Sequence, residues 1–419
     1  MKKVFIKGPY LTQSGYGHHT RTVIRALETR PDLFDIYMQP IMWGHTSWLW
    51  EDNEERQRYD EYLQKTIGHI QAGGKFDMSL QVTIPNEWEN LAPINIGVTA
   101  GIEVDRISSK WIEHSTAVDK ILTISEHSKK AFVDTVYKYE NNATGEEIDF
   151  KCHKPVESIS YPALTFESKK LDLDITTNFN FLCVAQLGPR KNVETLIRCF
   201  VEKFKDNEDV GLIIKANSAK NSKIDRHHTL RKFKHLLSTF KDKKCKVYLL
   251  HGYLNDEEMA GLYTHPKVKA FVSATHGEGF GLPIFEAACY GLPVITTDWS
   301  GHLDFLYMQQ KNKKLKKKHM FSKISYTLKE VQEEAVWPGV IEKESQWAHP
   351  EEGSIKMNLE EVYKDYGRFK KRASLLKQWV KKEFAPEKQY KEYVDQICSS
   401  FPEETPWEEE IESIITEYE

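Results

Sequence analysis

No apolar stretch in this 419-residue chain approaches the roughly twenty residues that a membrane-spanning helix requires. The N-terminus, MKKVFIKGPY, offers only a three-residue apolar run before Lys7, too short for the apolar core of a secretory signal. None of the six cysteines (Cys152, Cys183, Cys199, Cys245, Cys289 and Cys398) forms a CxxC pair or a metal-ligand spacing. Several sit in apolar segments, so buried free thiols in a reducing compartment are the simplest reading. These absences predict a cytoplasmic protein without a transmembrane segment or a bound metal. Charge of one sign is missing too: the formal net charge is −4, too little for a global field that would draw the chain to nucleic acid or an anionic membrane. No internal repeat is present. What remains, 40% hydrophobic and 29% charged residues, fits a soluble globular chain, and 419 residues exceed what one core usually holds, so two domains are expected.

Short β-rich runs alternate with helical segments. Strands are expected over 4–6, 78–82, 94–99, 120–124 and 158–161, with helices near 20–27, 110–116 and 126–137. A polar, aperiodic stretch over 166–178 reads as a linker. A second series follows, with strands over 179–185, 210–216, 246–250, 268–273 and 293–297 and helices near 193–204, 226–240, 256–262 and 283–290. Strand–helix alternation implies parallel sheets with crossover helices. The predicted class is therefore α/β: two Rossmann-like, doubly wound domains, 1–165 and 179–394, facing a central cleft. From Leu359 the chain is mostly helical, with a break at Phe384-Ala385-Pro386 and amphipathic helices expected over 387–399 and 407–418.

The densest chemistry lies in residues 274–302, ATHGEGFGLPIFEAACYGLPVITTDWSGH. A buried strand ends in a loop bearing Gly277, Gly279 and Gly281, which feeds a helix with Pro283 in its first turn. Glycines let the backbone approach a ligand closely, and a helix N-terminus presents unpaired amides, a combination suited to a pyrophosphate. Glu278 in the loop and Glu286 on the helix have seven residues between them. The bland alternative is a loop–helix elbow with two surface glutamates. After the strand over 179–185, Arg190 and Lys191 supply cations, as does Lys215 at the end of an apolar strand; each has the alternative of a solvated lysine or arginine at an element end. Near the N-terminus, Gly15 and Gly17 follow the first strand, but the third glycine and the downstream acid of a dinucleotide site are missing, which disfavours a dehydrogenase. His18 and His19 are helix-start polar residues or catalytic groups. Glu103 could serve as a base or orient an incoming hydroxyl, or be a helix N-terminal acid. Ser125 reads as an N-cap. Trp43, His45, Trp48 and Trp50 could stack on sugars or form an aromatic mini-core. The run Lys311–Lys318 is either a phosphate-contacting patch or a solvated loop.

The segment EGFGLPIFEAACYGLPV over 278–294 resembles the retaining glycosyltransferases of GT-B fold with a Glu-x7-Glu motif, family 4-like. The resemblance implies C-terminal helices crossing back, with 395–419 packing on the first domain. It implies no essential cofactor and a nucleoside-diphosphate sugar, of UDP or GDP type, as donor. Glu278 would then lie beside the transferred sugar, the backbone of Gly279, Phe280, Gly281 and Leu282 would hold sugar and phosphate oxygens, and Glu286 would grip the ribose. Lys191-Asn192 fits the family's cationic loop, and Gly15 and Gly17 fit its glycine-rich loop near the donor phosphates. Gln186 stands where the family carries arginine, so Arg190 or Lys215 would supply that charge. A histidine that many relatives place near 99–105 is absent, and Glu103 is the nearest ionisable group. Trp43, His45 and Trp48 would face the acceptor. The Trp-Gly-His and Glu-Trp-Glu-Asn segments look similar to phage-encoded members, which makes DNA, met by the Lys311–Lys318 run, a candidate acceptor. A non-catalytic nucleotide- or carbohydrate-binding scaffold is the alternative from another class.

Overall fold

A computed structural model describes residues 1–44, 46–140, 145–309 and 317–401. His45, Lys311, Lys313, Lys314, Lys316 and the helix expected over 407–418 lie outside the described residues.

The first domain runs β1 (Lys2–Gly8), α1 (Gly15–Glu28), β2 (Phe34–Pro40), α2 (Glu54–Gln71), β3 (Met78–Val82), β4 (Ile94–Thr99), α3 (Ser109–His114), β5 (Lys120–Thr123), α4 (Glu126–Asp134), β6 (Val136–Glu140), β7 (Glu147–Lys151) and β8 (Val156–Ser158). Its parallel sheet has the order β2-β1-β3-β4-β5-β8. Val4, Phe5 and Ile6 are all buried, as expected of a strand covered by helices on both faces. α1 begins five residues before the expected helix because Ser14 caps it, accepting from the Gly17 amide at 2.9 Å. The helix expected over 126–137 stops at Asp134, and the next residues turn into an antiparallel β6–β7 hairpin. β2 and α2 were not legible in the sequence; α2 buries only Tyr59 and Thr66, so its apolar stripe is thin.

The second domain runs β9 (Phe179–Gln186), α5 (Val193–Phe204), β10 (Val210–Asn217), α6 (Lys223–Ser238), β11 (Lys246–Leu250), α7 (Asp256–Thr264), β12 (Val268–Ser273), α8 (Leu282–Tyr290), β13 (Val294–Thr297), α9 (Leu303–Leu306), β14 (Tyr307–Gln309), β15 (Lys317–His319) and β16 (Ser322–Ile324). Its parallel sheet has the order β11-β10-β9-β12-β13-β16, which reverses direction between β9 and β12. Ligands in such sheets sit outside the carboxyl ends of the strands at that switch point.

After β16 the chain crosses between domains. The antiparallel pair β17 (Tyr326–Glu330) and β18 (Gln346–Pro350) brings Val331 and Trp347 into the core of the first domain. α10 (Glu352–Lys364) returns to pack Ile355 and Leu359 into the second core. α11 (Tyr366–Glu383) then leads to α12 (Pro386–Cys398), whose Tyr393, Val394 and Ile397 lie in the first core against α1. His19 Nε2 and Tyr393 OH are 2.9 Å apart across that joint. Among the described residues no helix is long and apolar enough to cross a membrane, and no His/Cys/Asp/Glu group has metal-binding geometry. The cysteines are all free, and Cys183, Cys199, Cys245 and Cys289 are buried.

Candidate active site at the interdomain cleft

The loops leaving β9 and β12 meet at the switch point of the second sheet. A single 3-10 turn, Pro189–Lys191, ends on Asn192 in the left-handed region (φ 51°). Asn192 donates to the Ala274 carbonyl at 3.1 Å, and the His276 amide donates to the Arg190 carbonyl at 2.9 Å, so the two loops are stitched together. Glu278 is consequently only 5% exposed, not the surface residue of a plain elbow. Its amide donates to Ser300 Oγ at 2.9 Å, and its carbonyl accepts from Gly301 N at 2.9 Å.

The Glu278 carboxylate is held by two cations. Lys191 Nζ lies 2.6 Å from Oε1 and 2.8 Å from Oε2, and Arg190 Nη1 donates to Oε2 at 2.9 Å and to the Gly277 carbonyl at 2.8 Å. Arg190 Nη2 also lies 3.4 Å from Glu103 Oε1. Burial by itself would raise the Glu278 pKa, but Lys191 and then Arg190 overcome it and hold the group down at about 2. Burial, with Arg190 beside it, lowers the Lys191 pKa despite the carboxylate. The glycines make this proximity possible. A Cβ on Gly279 would stand 2.4 Å from the Ala100 carbonyl, and one on Gly277 would stand 2.1 Å from the Glu103 carbonyl. The domains therefore touch backbone to backbone beside Glu278.

Gly281, at φ +88°, turns the chain into α8, with Pro283 in its first turn. Glu286 follows on α8 and accepts from Tyr263 OH at 2.7 Å. Burial raises its pKa to about 7, the Tyr263 hydrogen bond opposes that rise, and Asp256 adds to it. Lys215, at the end of β10, donates to the Gly252 carbonyl at 2.6 Å, and burial lowers its pKa to about 8.

An interdomain cavity of about 710 Å³ gathers most of the sequence-predicted residues: Gly15, Trp43, Glu103, Arg190, Lys191, Lys215, Glu278 and the stretch Gly279, Phe280, Gly281, Leu282 all line it. Glu286 instead lines an adjoining chamber of about 210 Å³, which shares Gln13, Tyr253, Leu254 and Leu282 with the main cleft. The Phe280 ring is 2% exposed and packs against Tyr161, Phe285 and Phe305. Gly17 is not among the lining residues; a Cβ there would stand 2.2 Å from the Thr12 carbonyl, so it shapes the turn that presents Gly15. Trp48 is 43% exposed, bridged to Thr12, and does not line the cleft. Trp43 packs on Tyr16 at 4.2 Å, and Trp50 stands edge-on to Tyr253. His19 is buried and His18 half-buried on the wall of the Glu286 chamber, desolvation lowers both pKa values, and Ser125 caps α4 as expected. Gln186 also lines the cleft, and its Nε2 donates to the Ser218 carbonyl at 3.4 Å. Tyr263 and the turn 337–341 escaped the sequence reading. Only the last carried a signal, the Trp-Pro-Gly triplet at 337–339.

These two facing doubly wound domains have the GT-B fold. Anabaena HepE, solved in complex with UDP and glucose, superposes with a TM-score of 0.58 at 13% identity, covering 95% of this chain and 100% of HepE. Sucrose-phosphate synthase from Thermosynechococcus elongatus gives 0.60 at 12% identity, covering 95% and 99%. Residues 166–323 match the family described as Glycosyl transferases group 1. Among curated proteins, the serotype-specific mannosyltransferase WbdA of Escherichia coli is 32% identical over 124 residues, 28% of this chain and 13% of WbdA. A probable sucrose-phosphate synthase of Thermosipho melanesiensis is 27% identical over 209 residues, 45% of each chain. This chain thus spans well under two thirds of the curated relatives it matches.

Proposed function

We propose that the protein is a retaining, family 4-like glycosyltransferase that moves a sugar from a nucleoside diphosphate to an acceptor hydroxyl. The observation that carries this reading is the buried Glu278 carboxylate between Lys191 and Arg190, at the switch point of a domain matching the group 1 glycosyl transferases. The donor domain is 179–394, the acceptor side is 1–165 with 395–401 packed back on it, and 166–178 links them. No metal is required, because Lys191, Arg190 and Lys215 supply the fixed charge that a departing diphosphate needs.

Gly15 and the backbone of Gly279, Phe280, Gly281 and Leu282 cradle the phosphates and the sugar, and Glu286 takes the ribose hydroxyls. The bond between the sugar C1 and the diphosphate oxygen breaks, and a bond from the acceptor oxygen to C1 forms on the same face. The acceptor proton passes to the departing phosphate oxygen, so charge and atoms balance. Glu103, facing the same cavity, orients the acceptor hydroxyl. A UDP-type donor is favoured over a GDP type by the UDP held in the similarly folded HepE. The absence of a membrane-crossing helix among the described residues fits a cytoplasmic site of action.

A thermal-shift series with UDP, GDP and ADP tests donor binding, since a ligand that binds only the folded chain raises the midpoint. Release of nucleoside diphosphate from the matching sugar nucleotide, abolished in Glu278→Ala, tests catalysis. Failure of every nucleotide to shift the midpoint would sink the proposal.

A further inference from the structure

The connection between β17 and β18 does more than join two strands. Trp337 and Ile341 form a backbone bridge, with Trp337 N donating to Ile341 O at 3.0 Å and Ile341 N to Trp337 O at 2.8 Å. Gly339, at φ +77°, sits at the tip. The tip is anchored to the first domain: Asn86 Nδ2 donates to the Gly339 carbonyl at 3.0 Å, and Glu342 Oε1 accepts from Ser108 Oγ at 2.5 Å and from Gly339 N at 3.1 Å. At the root, Asp105 and Gln346 exchange two hydrogen bonds, Gln346 N to Asp105 Oδ1 at 2.7 Å and Asp105 N to Gln346 O at 2.9 Å. The turn is therefore rigid on both sides.

Yet this anchored turn leaves a large aromatic side chain uncovered. Trp337 is 52% exposed, lines the cleft that holds Glu278 and Lys191, and meets no other aromatic ring among the described residues. Val340 and Ile341 beside it, and Ile84 and Trp43 from the first domain, line the same cleft. Trp43 is already packed on Tyr16 and Tyr253 on Trp50, so Trp337 is the most exposed aromatic of the cleft and has no ring partner among the described residues. Anchoring the backbone of the turn beforehand removes the ordering cost that a mobile loop would pay on binding.

We propose that the turn 337–341 forms an acceptor subsite in which Trp337 stacks on one face of a neutral saccharide ring. This rests on the glycosyltransferase reading above and adds the class of acceptor. Charge decides the class. Residues 329–344 carry five acids (Glu330, Glu333, Glu334, Glu342, Glu344) against two lysines (Lys329, Lys343), a balance of −3. Glu333 and Glu334 are exposed beside the turn. None of these acids lines the cleft, but they make the segment that carries the turn negative, which disfavours a phosphate backbone or an acidic glycan alongside it, whereas the apolar face of a pyranose needs only the indole and nearby hydroxyls such as Thr46 and Ser47, which line the same cavity. Of the lysine run that suggested a DNA acceptor, the described Lys317 and Lys318 lie on β15, outside this cavity.

The test uses the full chain labelled with 5-fluorotryptophan, its Trp337 resonance assigned from Trp337→Phe. Methyl glycosides of mannose, glucose, galactose and N-acetylglucosamine, a methyl glucuronide and a duplex oligonucleotide are titrated with UDP present. The Trp337 resonance is expected to shift saturably with at least one neutral glycoside and not with the glucuronide or the duplex. In saturation-transfer measurements Trp337→Ala should bind that glycoside about tenfold more weakly, and Trp337→Phe should restore most of the loss. Unchanged glycoside binding in Trp337→Ala, no response to any neutral glycoside, or a response to the duplex alone would overturn the proposal. The midpoint shift with nucleoside diphosphate reports the donor site separately: its absence with UDP, GDP and ADP alike in the wild type overturns the donor reading, and its persistence in Trp337→Ala confines the defect to the acceptor.

Discussion

Lys191 Nζ stands 2.6 Å from Glu278 Oε1, so the cation proposed to hold a diphosphate is paired with the carboxylate proposed to meet the sugar. Arg190 shares the same carboxylate and also faces Glu103, and the four side chains together are close to neutral. On the proposed function, a donor diphosphate competes with Glu278 for these cations, and the carboxylate it frees meets the sugar hydroxyls.

Glu278→Gln should therefore separate affinity from turnover. With the competing charge gone, the free nucleoside diphosphate binds about tenfold more tightly by calorimetric titration, while transfer falls by about 10²–10³. The variant is also destabilised by about 1–3 kcal/mol, because two half-buried cations lose a counterion. The wild-type contribution has a definite pH range. The folded pKa of about 2 lies below the ordinary value of 4.5, so this stabilisation is complete above about 4.5 and lost as pH falls through about 2. Unchanged nucleotide affinity in Glu278→Gln would contradict the competition.

Donor affinity should pass through a maximum between about pH 7 and 8. Below about 7 the Glu286 carboxyl is protonated and a poorer acceptor for ribose hydroxyls, and above about 8 Lys215 loses its charge. Burial is the leading cause of both shifts. Tyr263→Phe removes the hydrogen bond that lowers the Glu286 pKa, so the acid limb should move to higher pH while the alkaline limb stays. Stability carries the opposite sign for Glu286: its contribution is full below about 4.5 and lost as pH rises through about 7. Titration of nucleotide affinity from pH 5 to 9 on both proteins, in about half-unit steps, checks this; a flat profile in the wild type refutes it.

Gly279→Ala tests the contact between domains. The new Cβ would lie 2.4 Å from the Ala100 carbonyl and 3.0 Å from Gly101 Cα, both backbone atoms that cannot swing aside. The two loops must separate, so the radius of gyration in solution scattering should rise and transfer should fall by at least about tenfold. A variant with wild-type scattering and activity would show that the close approach is dispensable.

Trp347→Ala probes the strap. Trp347 is fully buried in the core of the first domain and stacks on His276 at 4.9 Å, while the neighbouring Ala348 exchanges hydrogen bonds with His276. Its loss should cost about 3–5 kcal/mol in denaturant unfolding. Trp347→Phe keeps a ring against His276 and should recover more than half of that. Because His276 lies two residues before Glu278, the alanine variant should also lower transfer under conditions where it remains folded.

Much of the site was readable before folding. The run 278–286 specified a glycine loop, a helix start and two acids at a fixed interval, because close backbone approach and exposed amides are local properties of residue type. The second sheet was equally legible, since strands buried on both faces are continuous apolar runs, as in β9, β10 and β12. The polar α2 and the short strands β16 to β18 left no such trace, because their patterns depend on which partner covers them. Tertiary structure alone decided that Arg190 and Lys191 converge on Glu278, that Glu286 opens to a separate chamber beneath Tyr263, and that a turn about sixty residues beyond Glu278 supplies an aromatic wall to the cleft. Each of these is a long-range relation of charge, burial or exposure. Residue type sets what a side chain can do, and only the packing of distant segments sets which water it loses and which charge it meets.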